Sequence, residues 1–261
     1  MNEAVNVKGH EELADTLALR RERFAVLADV FSAESSPEAV GAMVCQGMAA
    51  VAAAEEDEAP VAEAPEASEV PAVDRADRAD PSPEAALARA LAAVPEGLSE
   101  AFATKTRTEY ARLFIGPREV VAPLHESAWR SGTPRTFTAE TLAVRAIYER
   151  HGFVMRRKNR EPDDAIGVEL EFLRNLCDRA LAALEEGGGA GLAATAENLA
   201  EQRSFLDGHV RRWAVDFARR VQEADESGFY RAWGAYLEAV LAEDGVLLDR
   251  CAVLASAEQD A

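Results

Sequence analysis

Apolar residues recur along this chain at the three- and four-residue spacing of amphipathic helices, and no stretch shows the strict alternation of a half-buried strand. Leu13, Leu17, Phe24, Leu27 and Phe31 form one stripe and predict a helix from about Glu11 to Phe31, ended by Glu34-Ser35-Ser36-Pro37. An Ala- and Met-rich helix is expected next, over about Pro37 to Ala54. The pattern resumes over Pro83 to Val94. It returns from about Ser99, a plausible N-cap, to Phe114, with Phe102, Thr106, Tyr110 and Phe114 on one face and Gly116-Pro117 closing it.

The stretch REVVAPLHESAWRSGTPRTF lacks a clear period and reads as loop with a turn of helix. A helix over about Ala139 to His151 follows, with Gly152 as its C-cap. Pro162, flanked by Glu161, Asp163 and Asp164, reads as a first-turn position, because proline suits N1 and carboxylates suit the positive end of the helix dipole. From there Ile166, Leu170, Leu173, Cys177, Ala180 and Leu184 form a continuous stripe ended by EEGGGAG. Two further helices are expected, Leu192 to Glu223 with a break near Gly208, and Gly228 to Glu243.

The fold class is therefore all-α, a bundle of about nine to eleven helices. Residues 55–80 carry ten acidic and two basic residues with repeated proline, too little apolar surface to offset ordering entropy, and read as a long acidic disordered loop. The expected organisation is N-terminal helices over 1–54, an acidic linker over 55–82 and a main helical region over 83–261 with a hinge near 156–165, all one folded unit. Of the formal charge of −19, the acidic stretch carries −8. That balance excludes a general nucleic-acid binder and favours a cationic partner.

Cys45, Cys177 and Cys251 are odd in number and far apart, so buried free thiols are expected rather than a disulfide framework. No leader-like segment and no run of 18 apolar residues is present, which places the protein in the cytoplasm. His10, His125, His151 and His209 lack metal-ligand spacing, and there is no phosphate loop, dinucleotide fingerprint or GxSxG elbow. What remains is a set of polar and aromatic residues in APLHESAW, in EPDD and in FLDGHVRRW, where His209 and Trp213 stand four apart on one expected helix face.

EYARLFIGP, APLHESAW, TLAVRAIYERHGF, EPDDAIGVELEFL, FLDGHVRRW and FYRAWGAYL occur in this order, and together they resemble the TorD/DmsD family of redox-enzyme maturation chaperones. The likeness spans about Lys105 to Ala242. It implies an all-α bundle with two halves meeting near EPDD and an activity of binding rather than catalysis. The implied partner is the catalytic subunit of a molybdopterin oxidoreductase of the dimethyl sulfoxide reductase class, recognised through its twin-arginine signal peptide and held from export until its cofactor is inserted. That would be a role in anaerobic respiration, with transient contact with the export machinery, no nucleic acid, and a monomer or a dimer that exchanges halves. The molybdopterin belongs to the client, and the chaperone needs no cofactor of its own.

Carried over by position, the resemblance implies a signal-peptide-binding surface made of Tyr110, Phe114, Leu124, His125, Glu126, Ser127 and Trp129, then Arg145 and Tyr148. Glu161, Pro162, Asp163, Asp164, Ile166 and Gly167 form its hinge, and His209 and Trp213 complete it. Carboxylates from Glu126, Glu161, Asp163 and Asp164 would meet the arginines, while Phe114, Trp129, Tyr148 and Trp213 would line an apolar groove. Many members carry histidine after the second aspartate, whereas this chain has Ala165, which weighs against a hinge imidazole and the weak guanine-nucleotide binding suggested for some relatives. The alternatives are a nitrate-reductase-type assembly factor for a client that is never exported, and a slow GTP hydrolase dependent on Asp164. The basic run before EPDD, including Arg156 and Arg157, is expected to pair with the hinge carboxylates while the groove is empty.

Overall fold

A computed structural model describes residues 2–32, 82–93, 100–116, 120–131, 138–154 and 162–259. The expected second helix, the acidic linker, Cys45, the Ser99 cap, Glu161 and the basic run at 155–160 lie outside the described residues.

Nine α-helices occur among the described residues: α1 (Asn2–Ser32), α2 (Pro83–Ala92), α3 (Glu100–Tyr110), α4 (Glu126–Arg130), α5 (Ala139–Arg150), α6 (Ile166–Glu186), α7 (Gly188–Gly208), α8 (Ala214–Ala224) and α9 (Phe229–Gln259). The only extended pairing among them is an isolated bridge between His125 and Ala165.

The apolar stripes explain the assembly. Leu13, Leu17, Phe24, Leu27 and Phe31 of α1 are buried, as are Ile166, Leu170, Leu173, Cys177, Ala180 and Leu184 of α6, and these two helices form the central pair. Helix α9 closes over α1, α7 and α8, and α2 packs on α9. Helices α1 and α6 approach closely at the start of α6, where a β-carbon on Gly167 would displace the Ser32 hydroxyl and crowd the Ala28 carbonyl. Gly167, named as a hinge residue, therefore also serves close helix packing.

Three boundaries differ from the pattern-based reading. The stretch expected to continue α3 becomes a π-helical segment, Ala111–Ile115, which still buries Leu113 and Phe114. Helix α7 begins at Gly188, so most of the glycine run starts a helix instead of ending one. Helix α9 runs through Gly245 to Gln259, because Leu248, Cys251 and Ala255 continue its buried stripe. Gly245 is where the Arg211 guanidinium lies against the helix, in space a β-carbon would need.

A buried polar clasp ties four helices. Arg20 of α1 forks onto Asp244 of α9, Nε to Oδ1 at 2.6 Å and Nη2 to Oδ2 at 3.0 Å, and its Nη1 donates to Gln202 of α7. The Cys177 thiol of α6 lies 4.0 Å from Arg20 Nη1. Arg20 and Asp244 are 0% and 1% exposed. Burial, the largest single influence, would lower the Arg20 pKa, but the Asp244 charge and hydrogen bond together with the neighbouring thiols raise it overall. Burial pushes the Cys177 thiol up to about 12, so it stays a protonated free thiol, as Cys251 also does with its own rise to about 11. Beside this clasp, Arg23 holds Glu84 of α2 (2.8 and 3.1 Å) and Glu243 of α9 (3.0 Å).

Candidate functional site

Two loop-to-helix junctions far apart in the chain meet head to head. The Glu126 N–H donates to the Asp164 carbonyl (2.9 Å), and the Ile166 N–H donates to the Leu124 carbonyl (2.8 Å). The first amides of a helix have no partner within it, so each junction satisfies the other's orphans. Asp164 adds a side-chain cap: its Oδ2 accepts the Ser127 N–H at 2.8 Å, at a helix whose own N-cap residue, His125, makes no such bond. Asp164 therefore caps α4 and not its own helix. Helix α6 starts at Ile166 with Ala165 at the N-cap, and Pro162 precedes a turn instead of occupying N1. That turn is what carries the aspartate across to α4.

Behind the junction, Glu126, Asp164 and Glu169 are each 0% exposed. The N-terminal ends of α4 and α6 favour negative charge there, and Glu126 has two cationic-type partners besides: Arg130 Nη1 at 2.6 Å and His209 Nδ1 at 2.9 Å. The His209 ring stacks on Phe205 with centroids 5.2 Å apart. Glu169 has no cationic partner among the described residues. Its Oε2 accepts the Trp213 indole N–H at 3.1 Å, and burial, then repulsion from Glu126, pushes its carboxyl well above the usual carboxylate range. Burial thus favours the neutral form of Glu169, which would spare the interior a further uncompensated charge.

The junction meets a pocket at Asp163, which is itself buried. Its Oδ2 accepts both Nε (2.8 Å) and Nη2 (2.5 Å) of Arg145, and its carbonyl accepts the Tyr148 hydroxyl (3.2 Å). A pocket of about 160 Å³ opens here, walled by Arg145, Tyr148, Glu149, Phe153, Val154 and Asp163. Val154 is 77% exposed on its rim, and Leu142, 56% exposed, lies one turn before Arg145 on the same face of α5.

The remaining sequence-derived site residues divide by burial. Tyr110 and Phe114 are buried and pack on Tyr230, and Phe114 also touches Phe31 and Phe217. Phe217 in turn contacts Trp129 and Trp213. Trp129 is half-buried and spends its indole N–H on the Pro123 carbonyl (2.7 Å). Phe114, Trp213 and Tyr148 thus belong to the aromatic core, where an open apolar groove had been expected of them. His209 and Trp213 do not share a helix, because a 3-10 turn, Val210–Arg212, separates α7 from α8, yet both reach the buried acidic cluster, His209 at Glu126 and Trp213 at Glu169. Leu124 and His125 are half-buried, and Ser127, Pro162 and Ile166 buried.

Missing from the sequence-derived set are Glu169, Arg130, Glu149, Phe153 and Val154. Glu169 had a visible signal, a carboxylate three residues after Ile166 inside the apolar stripe of α6. The others carried none, since their importance comes from who faces them. No group of three or more His, Cys, Asp or Glu side chains among the described residues has the arrangement of a metal site. No described helix is long and apolar enough to cross a membrane.

The family model described as nitrate reductase delta subunit matches residues 77–219, more than half of the chain. Among curated proteins, the one named "Probable Tat proofreading chaperone DmsD" from Haemophilus influenzae is 29% identical over 124 residues, covering 48% of this chain and 52% of the relative. The chaperone protein TorD of Photobacterium profundum is 30% identical over 89 residues, covering 34% and 38%. The aligned part thus spans about half of these relatives' length, or less. A crystal structure from Archaeoglobus fulgidus assigned to a redox enzyme maturation protein is 20% identical, covers 84% of this chain and 93% of its own, and superposes with a TM-score of 0.46.

Proposed function

The chain belongs to the nitrate reductase delta subunit family, the family of the TorD and DmsD chaperones, and from that premise we propose that it is a cytoplasmic maturation chaperone that binds and does not catalyse. Its client is the apo form of a molybdopterin oxidoreductase, and the part of the client it holds is an N-terminal twin-arginine signal peptide. The names of the curated relatives support this reading. The observation that carries the site is the pocket at Asp163, where carboxylates stand beside exposed apolar groups. A twin-arginine signal offers that same pairing, guanidinium groups followed by an apolar segment. Behind this surface the Asp164 carboxylate ties the two junctions together, with Glu126 and Glu169 anchored to His209 and Trp213, while Asp163 and Glu149 face the peptide.

Calorimetry with a synthetic peptide carrying SRRxFLK before an apolar segment tests the reading, against the same peptide with glutamine in both arginine positions. The arginine peptide is expected to bind and the glutamine peptide to lose most of its affinity. Glu149→Arg, an exposed charge reversal, should weaken the arginine peptide about fivefold, equivalent to ~1 kcal/mol. Equal binding of the two peptides would exclude a twin-arginine receptor.

A second reading, assembly of a client that is never exported, is favoured by the family's description as a nitrate reductase subunit. Co-purification separates the two: the client's N-terminus either carries an SRRxFLK-like sequence or does not.

A further inference from the structure

Arg145 is the only guanidinium on the Asp163 carboxylate among the described residues, and it sits in the wall of the pocket that the proposed function assigns to a peptide's arginine. We propose that Arg145 is an internal stand-in for that arginine, occupying Asp163 while the pocket is empty and swinging off it when a guanidinium-bearing peptide arrives. The inference rests on the reading above and adds a regulatory contact to it.

The geometry of the pair favours exchange. Both donors of Arg145 converge on one oxygen, Oδ2. The parallel two-oxygen fork that makes arginine–carboxylate pairs strongest is not formed. The Arg145 side chain is 20% exposed and that of Asp163 4%, so the cation has a path to solvent while the anion stays in place. Exchange of one guanidinium for another never leaves the buried carboxylate bare, and so avoids the large cost of breaking such a pair outright. Once released, Arg145 has Glu149 within reach one helical turn further on, and Glu149 lines the same pocket. Tyr148 stays fixed through its bond to the Asp163 carbonyl and its packing on Phe172, which keeps the carboxylate positioned during the swap. In the empty protein the internal contact competes with every incoming cation, so only a ligand that adds apolar contact with Phe153 and Val154 wins it.

The test is binding of the same two synthetic peptides to wild type and to Arg145→Met. The variant is expected to bind the arginine peptide about tenfold more tightly than wild type, equivalent to 1.4 kcal/mol, and the glutamine peptide no differently. Unchanged or weaker binding of the arginine peptide by Arg145→Met, with wild type still preferring arginine over glutamine, overturns the stand-in role and leaves the proposed function intact. Lack of any arginine preference in wild type overturns both. Should Arg145→Met lose its cooperative melt, Arg145→Lys decides the matter: it keeps the charge but cannot reach Asp163 with two donors, and about threefold tighter binding is expected. No gain with lysine then counts against the proposal as fully as no gain with methionine.

Discussion

Arg20 and Arg145 each place a guanidinium on a buried aspartate, and their surroundings make opposite devices of the same chemistry. Arg20 meets Asp244 through a two-oxygen fork, neither group is exposed, and Gln202 and Cys177 take up the rest of the guanidinium's reach. Arg145 meets Asp163 through one oxygen in the wall of a pocket, where the guanidinium keeps a path to solvent. A closed pair of this kind holds helices in register, whereas an open pair leaves an anion available to a partner. The lesson is that the functional value of an ion pair lies in its exposure and geometry, not in the residues that make it.

The comparison is most easily broken at the closed end. Arg20→Ala leaves Asp244 buried without a cation and is expected to cost about 3–5 kcal/mol in urea unfolding. The double change Arg20→Met with Asp244→Leu should cost far less, since no charge is stranded. Equal losses would mean that the clasp stabilises by attraction and not by avoiding an orphaned charge.

A smaller effect, with a pH signature, is expected at Glu169. Its carboxyl pKa is raised in the folded protein above the ordinary value of roughly 4.3 that the unfolded chain has. Between the two values the folded state holds more protons, so this residue's contribution is full below the unfolded pKa and falls as pH rises through the folded one. Glu169→Gln can still accept the Trp213 N–H and cannot ionise. Its unfolding free energy should match wild type near pH 4 and exceed it by about 1–3 kcal/mol at the alkaline end, the cost of a buried charge removed. A variant that tracks wild type across the whole range would show that the Glu169 carboxyl titrates in the folded protein as it does in the unfolded chain.

The smallest effect on stability belongs to the open end. Val154→Ser alters a side chain that is 77% exposed and should shift thermal stability by no more than about 0.5 kcal/mol, while weakening the arginine peptide severalfold. A variant with unchanged peptide affinity would move the apolar contact away from this rim.

Much of the bundle was legible in the chain, because helix formation is read locally. The stripes of α1 and α6 and the break after Gly208 fall where the apolar period and the glycine put them. The end of α9 was placed too early, at Glu243, although Leu248, Cys251 and Ala255 carry its buried stripe on towards Gln259. The site was legible as a set of segments and misread as a surface. EPDD and APLHESAW do come together, yet Asp164 caps a helix 37 residues away in sequence, and Trp213 and Tyr148 are core.

By itself the sequence determined which segments become helices, which faces are apolar and which charged residues exist to be used. The tertiary structure alone decided which of those charges would be closed, neutral or open. The periodicity of a helix is a property of neighbours four residues apart, whereas the partner and dielectric of a carboxylate are set by chain segments that only folding brings beside it.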